Sequence, residues 1–166
     1  MYKVGGKIVN KNGKVCEIIA IEEKDYGAGL KTYYVLQPCF SSNESMKIFV
    51  PAEQEDGLRE VMTKKQIKNL LSKIESIDTI WYANPKVRKT EFKELYSSGD
   101  PIEIFRLIKS FEKKKVEFKD EKKSLSFTDE SFLKEIKRNI YNEIAVSLNK
   151  PIEEVEVMID SKIKFN

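Results

Sequence analysis

Hydrophobic positions change their period once along the chain, near residue 63. Up to that point, apolar residues come in short β-branched or aromatic runs separated by Gly, Asn and Ser. The stretch KIVNKNGKVCEIIAIEE reads as a strand, an Asn12-Gly13 turn and a longer strand, a strong local hairpin signal. YGAGL marks the next turn, KTYYVLQPCF a strand stopped by Pro38, SSNES a further turn, and MKIFVPA a fourth strand. LREVMT adds a short fifth. Five short strands within about 60 residues predict a small, strongly bent sheet or SH3-like barrel.

After Thr63 the period becomes helical. TKKQIKNLLSKI carries Ile67, Leu70, Leu71 and Ile74 on one face. Asn84-Pro85 supplies an N-cap and a first-turn proline, starting a helix to about Tyr96 with Phe92 and Leu95 inward. Gly99 ends it, and Asp100-Pro101-Ile102-Glu103 opens the next with a capping-box pattern. That helix is expected to bury Ile102, Phe105, Ile108 and Phe111. Its other side would show Arg106, Lys109 and Lys113 as a basic stripe, with Lys113, Lys114 and Lys115 at its C-terminal end. KKKVEFKDEKKSLS then reads as a charged connection. Thr128-Asp129 starts the longest helix, with Phe132, Leu133, Ile136, Ile140, Ile144 and Leu148 in one apolar stripe. Pro151 breaks it, and PIEEVEVMIDSKI forms a last, acidic amphipathic helix. The expected class is α+β: a small β domain over residues 1–62, then an all-helical bundle over residues 63–166.

Charge and chemistry narrow the function classes. Net charge is only +3, so any nucleic-acid contact must come from a local patch rather than from bulk attraction. Histidine is absent, which removes the commonest general base and metal ligand. Cys16 and Cys39 have neither CxxC spacing nor histidine company, so they read as reduced, part-buried thiols. There is no P-loop, GxGxxG, GxSxG or HExxH, and the acidic residues sit on helix surfaces beside lysines. No catalytic site, metal or cofactor is expected. With no signal-peptide pattern and no run of ~20 apolar residues, the chain is expected to be cytoplasmic and off the membrane.

The stretch DTIWYANPKVRKTEF holds Trp81, the only tryptophan, at the entry to a helix. One reading is plain core packing. The other is an exposed tool: an indole can wedge against an unstacked base step, while Lys86, Arg88 and Lys89 within two turns hold phosphates. The helix N-terminus would add partial positive charge. Such a contact would carry little base specificity.

The order of these segments resembles the CarD family of bacterial transcription regulators. YKVGGKIVNKNGKVCEIIAIEE is similar to the family's opening strand, turn and strand, and KTYYVLQP to its tyrosine-rich third strand. KIFVPAEQ with LREVMT is similar to its edge strand and continuation. IWYANPKVRKTEFKELYSSGD resembles its tryptophan, basic helix start and Ser-Gly-Asp break, and LSFTDESFLKEIKRNIYNEIAVSLNKPIEEV its C-terminal helices. The likeness covers nearly the whole chain.

What the resemblance implies is a Tudor-like β domain docking on the RNA polymerase β subunit, and a helical domain touching promoter DNA at the upstream edge of the melted region. The tryptophan would prop the bubble open there, with Trp81, Lys86, Arg88 and Lys89 as the DNA-contacting residues. On the polymerase side, Met46, Lys47, Ile48, Phe49 and Pro51 form an edge-strand candidate open to β-augmentation. Lys24 stands where the resemblance places a polymerase-contacting basic residue, and Phe49 where well-known members carry an arginine. A monomer, associated with the nucleoid through the polymerase, is expected. Two alternatives remain open on the residues alone: an RNA- or ribosome-associated binding protein, and a protein adaptor in which Trp81 is buried and DNA plays no part.

Overall fold

The computed structural model describes residues 1–165. Five strands come first: β1 (Lys7–Val9), β2 (Val15–Asp25), β3 (Leu30–Pro38), β4 (Ile48–Pro51) and β5 (Arg59–Glu60). They form one antiparallel sheet in the order β4-β3-β2-β1-β5. The hairpin between β1 and β2 turns where Asn12-Gly13 predicts. Past the ends of the two strands, the Asn10 amide donates to Lys14 O at 2.9 Å and closes a three-residue loop, which the Asn10 side chain braces by accepting from the amides of Asn12 and Lys14, both at 3.0 Å. Gly13 then takes φ 80°, the left-handed residue that three-residue hairpins need. The next turn works similarly, with Asp25 Oδ1 accepting from Gly27 and Gly29 amides at 2.7 and 3.1 Å.

A bulge in β2 between Ile18 and Ala20 re-aims the strand, so that Ile18 opposes Leu36 while Ala20 opposes Val35. The core of this unit is Ile8, Cys16, Ile18, Tyr34, Leu36 and Leu58. Tyr34 is fully buried, and its hydroxyl donates to Glu55 in the 3₁₀ turn Ala52–Gly57. Tyr2 ties the N-terminus down by donating its own hydroxyl to Leu58 O at 3.1 Å. The strands and this turn belong to one compact unit, Met1–Val61.

The second unit begins at Met62 and is helical: α1 (Lys64–Lys73), α2 (Pro85–Ser97), α3 (Pro101–Asp120), α4 (Phe127–Leu148) and α5 (Ile152–Asp160). Met62 is anchored to α4 by its amide, which donates to buried Glu143 at 2.9 Å, and by its carbonyl, which accepts from Ser147. Thr63 and Gln66 form a reciprocal capping box at the start of α1. Asn84 caps α2 by accepting from the amides of Lys86 and Val87. Ile67, Leu70, Ile74, Phe92, Phe105, Ile108, Phe111, Leu133, Ile136, Ile140 and Ile144 meet in one core. Among the described residues no helix is long and apolar enough to cross a membrane.

Two expectations for α3 need correcting. The helix runs through Asp120, so Lys113, Lys114 and Lys115 lie inside it and the connection shrinks to a short turn before Ser126, which caps α4. Lys and Glu are good helix formers, the Lys114–Glu117 pair spans 2.6 Å on this turn, and Phe118 packs against the core. The basic stripe also breaks. Lys109 is buried, and its ammonium donates to the carbonyls of Ile74, Glu75 and Ile77 at 2.9, 3.0 and 2.7 Å. These carbonyls lie in and just after the short 3₁₀ helix that follows α1, where the last backbone acceptors of a helix run out of internal donors; of the three, Ile74 O also accepts from the Ile77 amide at 3.3 Å. Arg106 pairs with Glu103 on its own helix, at 3.2 Å.

Candidate functional site

Trp81 lies on the irregular segment 77–84 between the 3₁₀ turn and α2. Without helical hydrogen bonds of its own, this segment is held by side chains from outside it. Lys109 grips Ile77 O, Ser110 Oγ accepts from the Ile80 amide at 2.9 Å, and an Arg88 guanidinium nitrogen donates to Tyr82 O at 2.7 Å. Two of the three come from consecutive residues of α3, the third from α2.

The indole is half-buried and packs against the core. Phe92, Phe111 and Phe118 approach it edge-wise, with centroids 5.9, 5.8 and 6.3 Å away, the geometry aromatic quadrupoles favour. The Arg88 guanidinium lies over the ring at 4.4 Å from its centroid, and the Lys114 ammonium is at 5.5 Å. Trp81 is thus neither a free-standing wedge nor a sealed core residue. It is a held ring with part of its surface in solvent.

Arg88 departs from its expected place. It is only 7% exposed, because it forks onto Asp129 of α4 at 2.8 and 3.3 Å while also holding Tyr82 O. The physical reason is position: Arg88 lies one turn into α2 beside Phe92, on the side that faces the core. Its donors are taken up inside the unit, so it is not presented to phosphates. Lys86 and Lys89 are exposed on the same helix start. Asp129, Ser110, Lys114 and Phe118 complete the surroundings of Trp81. Sequence reasoning missed them because they belong to helices distant in sequence, and no local spacing links them to the tryptophan.

In the β unit, β4 is an edge strand, hydrogen-bonded to β3 on one side. Ile48 and Val50 pack on the core, while Phe49 turns outward and is 38% exposed. Lys24 of β2 reaches across β3 and sets its ammonium 4.3 Å from the centre of the Phe49 ring. It also pairs with Glu22 at 3.0 Å, which raises its pKa, chiefly through that hydrogen bond. Met46 and Lys47 are exposed just before the strand, and Pro51 is half-buried at its end. Beside β4 lies a cleft of about 480 Å³ that also takes in Asn10, Lys11 and Asn12 of the first hairpin turn and Leu58. The structure therefore brings Lys24, Phe49 and the edge strand together. It also adds the turn residues, which gave no sequence signal beyond their turn chemistry.

No protein-family model matches the chain, and no curated protein matches it at a significant level.

Proposed function

We propose that this chain is a transcription regulator of the kind the CarD resemblance implies. Its β unit, as a Tudor-like module, docks on the RNA polymerase β subunit, and its helical unit, as a bundle, meets promoter DNA at the upstream edge of the bubble. The carrying observation is the setting of Trp81. A chain with a single tryptophan keeps part of that ring in solvent at the start of a helix, and the exposed cations Lys86 and Lys89 follow within the next two turns. Phe92, Phe111 and Phe118 pack the ring from within the unit, and the part left in solvent is what a partner would meet.

The docking half of the reading rests on β4. An edge strand with unpaired backbone groups invites strand addition. The outward Phe49, backed by the Lys24 ammonium, offers an apolar and cationic contact where a guanidinium would otherwise serve. DNA contact through Trp81, Lys86 and Lys89 positions without reading sequence. The protein is then no enzyme; it changes the lifetime of a melted state.

The test is open-complex lifetime on a housekeeping promoter with the cognate polymerase. The wild type is expected to change it, and Trp81→Ala to bind polymerase equally well without that effect. A wild type that leaves the lifetime unaltered, or a Trp81→Ala variant that loses polymerase binding, counts against the proposal.

A further inference from the structure

The ion pair between Arg88 and Asp129 joins the first turns of two helices, α2 and α4. What it touches is informative. The same guanidinium that forks onto Asp129 also covers the Trp81 ring at 4.4 Å and donates to the carbonyl of Tyr82, the next residue along. Its contact with Ala83 O, at 3.4 Å, extends the grip by one residue. Among the groups that hold this segment, Arg88 alone touches both the face of the ring and the carbonyls that follow it, and Asp129 fixes Arg88 in turn.

We infer that Arg88 and Asp129 are positioning residues for Trp81, setting the orientation in which the indole meets its partner. An arginine suits this place and a lysine does not. The planar guanidinium can stack on the ring, fork onto a carboxylate and donate to a carbonyl at once, whereas an ammonium is a point charge that cannot do all three in one plane. Because the guanidinium covers the ring, the partner meets the indole on the surface left free, so the contact is with the side of an unstacked step rather than a full sandwich between bases. Lys109 and Ser110 hold the segment at Ile77 and Ile80; beyond them, Trp81 to Ala83 would without Arg88 gain the nanosecond-to-microsecond motion of loops, and a contact that depends on a fixed ring would lose its geometry.

The effect on DNA rests on the reading of Trp81 proposed above; the effect on the ring does not, and the two are separable because Trp81 is the only tryptophan. Its fluorescence reports this site alone. The variants are Asp129→Asn, which removes the charge at constant size, and Arg88→Lys, which keeps the charge and loses the fork. Both are made in the full chain, with far-ultraviolet circular dichroism as the control for helix content. Both are expected to raise acrylamide quenching and to add a fast component to the anisotropy decay. Open-complex lifetime should move toward that of Trp81→Ala by a factor on the order of ten, equivalent to ~1.4 kcal/mol of lost contact, with polymerase binding unchanged.

Unchanged quenching and anisotropy in both variants would overturn the inference. So would loss of helical structure in both, since the pair would then serve folding rather than the ring. If the ring loosens but the lifetime holds while Trp81→Ala abolishes the effect, orientation is irrelevant and the positioning role falls. If Trp81→Ala itself leaves the lifetime unaltered, the proposed function fails, while the quenching data still decide whether the pair holds the ring.

Discussion

Among the described residues of the helical unit, Lys109 and Arg88 are the buried cations, and both act on the segment that carries Trp81. Lys109 is the deeper of them. Its ammonium replaces water at three carbonyls, and burial is the main cause that lowers its pKa. Lys109→Met keeps the stem and removes the ammonium from all three carbonyls, of which Ile74 O keeps its bond from the Ile77 amide. Hydrogen bonds to charged groups are worth ~1.5–3 kcal/mol each, with the buried, unpaired partner adding its own cost, so a loss of about 3 kcal/mol is expected in urea unfolding. Cys16 offers a pH test at the same scale. Burial pushes its thiol up from 9.0 to about 11, so the native state holds a proton that the unfolded chain releases. The unfolded state therefore binds fewer protons between those values, and stability falls as pH rises from about 9 toward 11. Cys16→Ala or Cys16→Val should flatten that decline in thermal melts taken across the alkaline range, and Cys39, half-buried, should alkylate before Cys16.

At the scale of elements, the start of α2 and the edge of the sheet matter most. Asn84 accepts from two amides of the first turn, and Asn84→Ala is expected to cost about 1 kcal/mol. Because Arg88 reaches back from that turn to Tyr82 O, fraying it should also raise the acrylamide quenching of Trp81, a coupling that a cap remote from the ring would not show. Phe49→Lys keeps β4 paired to β3 but sets a second cation beside Lys24, so polymerase binding in a pull-down should drop while circular dichroism stays that of the wild type. Retained binding would remove Phe49 from the docking surface.

For the whole molecule, charge sets the expected strength of DNA contact. Net charge is +3, and with Arg88 inside and Lys114 paired with Glu117, Lys86 and Lys89 are the exposed cations that the proposed contact takes from the start of α2. Two phosphate contacts correspond to a slope of roughly −2 in log K against log salt. The protein alone should bind promoter DNA weakly, in the ~10⁻⁴ M range of non-specific binders. Such a contact becomes effective only when docking on polymerase raises its local concentration. Titration of DNA with and without polymerase, at several salt concentrations, measures both quantities. A slope several times steeper would mean that further cations take part.

Sequence alone determined what local patterns can carry. Alternation and turn chemistry marked the five strands, with Asn12-Gly13, Gly27 and Gly29 at the turns. The 3.6-residue period marked the helices, and Asn84-Pro85 marked the start of α2. These signals span a few residues, so they are legible without the fold. What only the tertiary structure decided is which charges are surface and which are not. Lys109 and Arg88 have the same local pattern as their exposed neighbours, and their burial depends on acceptors that other segments bring: the carbonyls after α1 and the carboxylate of α4. Likewise, α3 outlasted its predicted end because Phe118 finds Trp81, a contact between residues far apart in the chain. Hydrophobic period fixes elements; the partners that satisfy buried polar groups are supplied by packing, and that is where the setting of Trp81 was made.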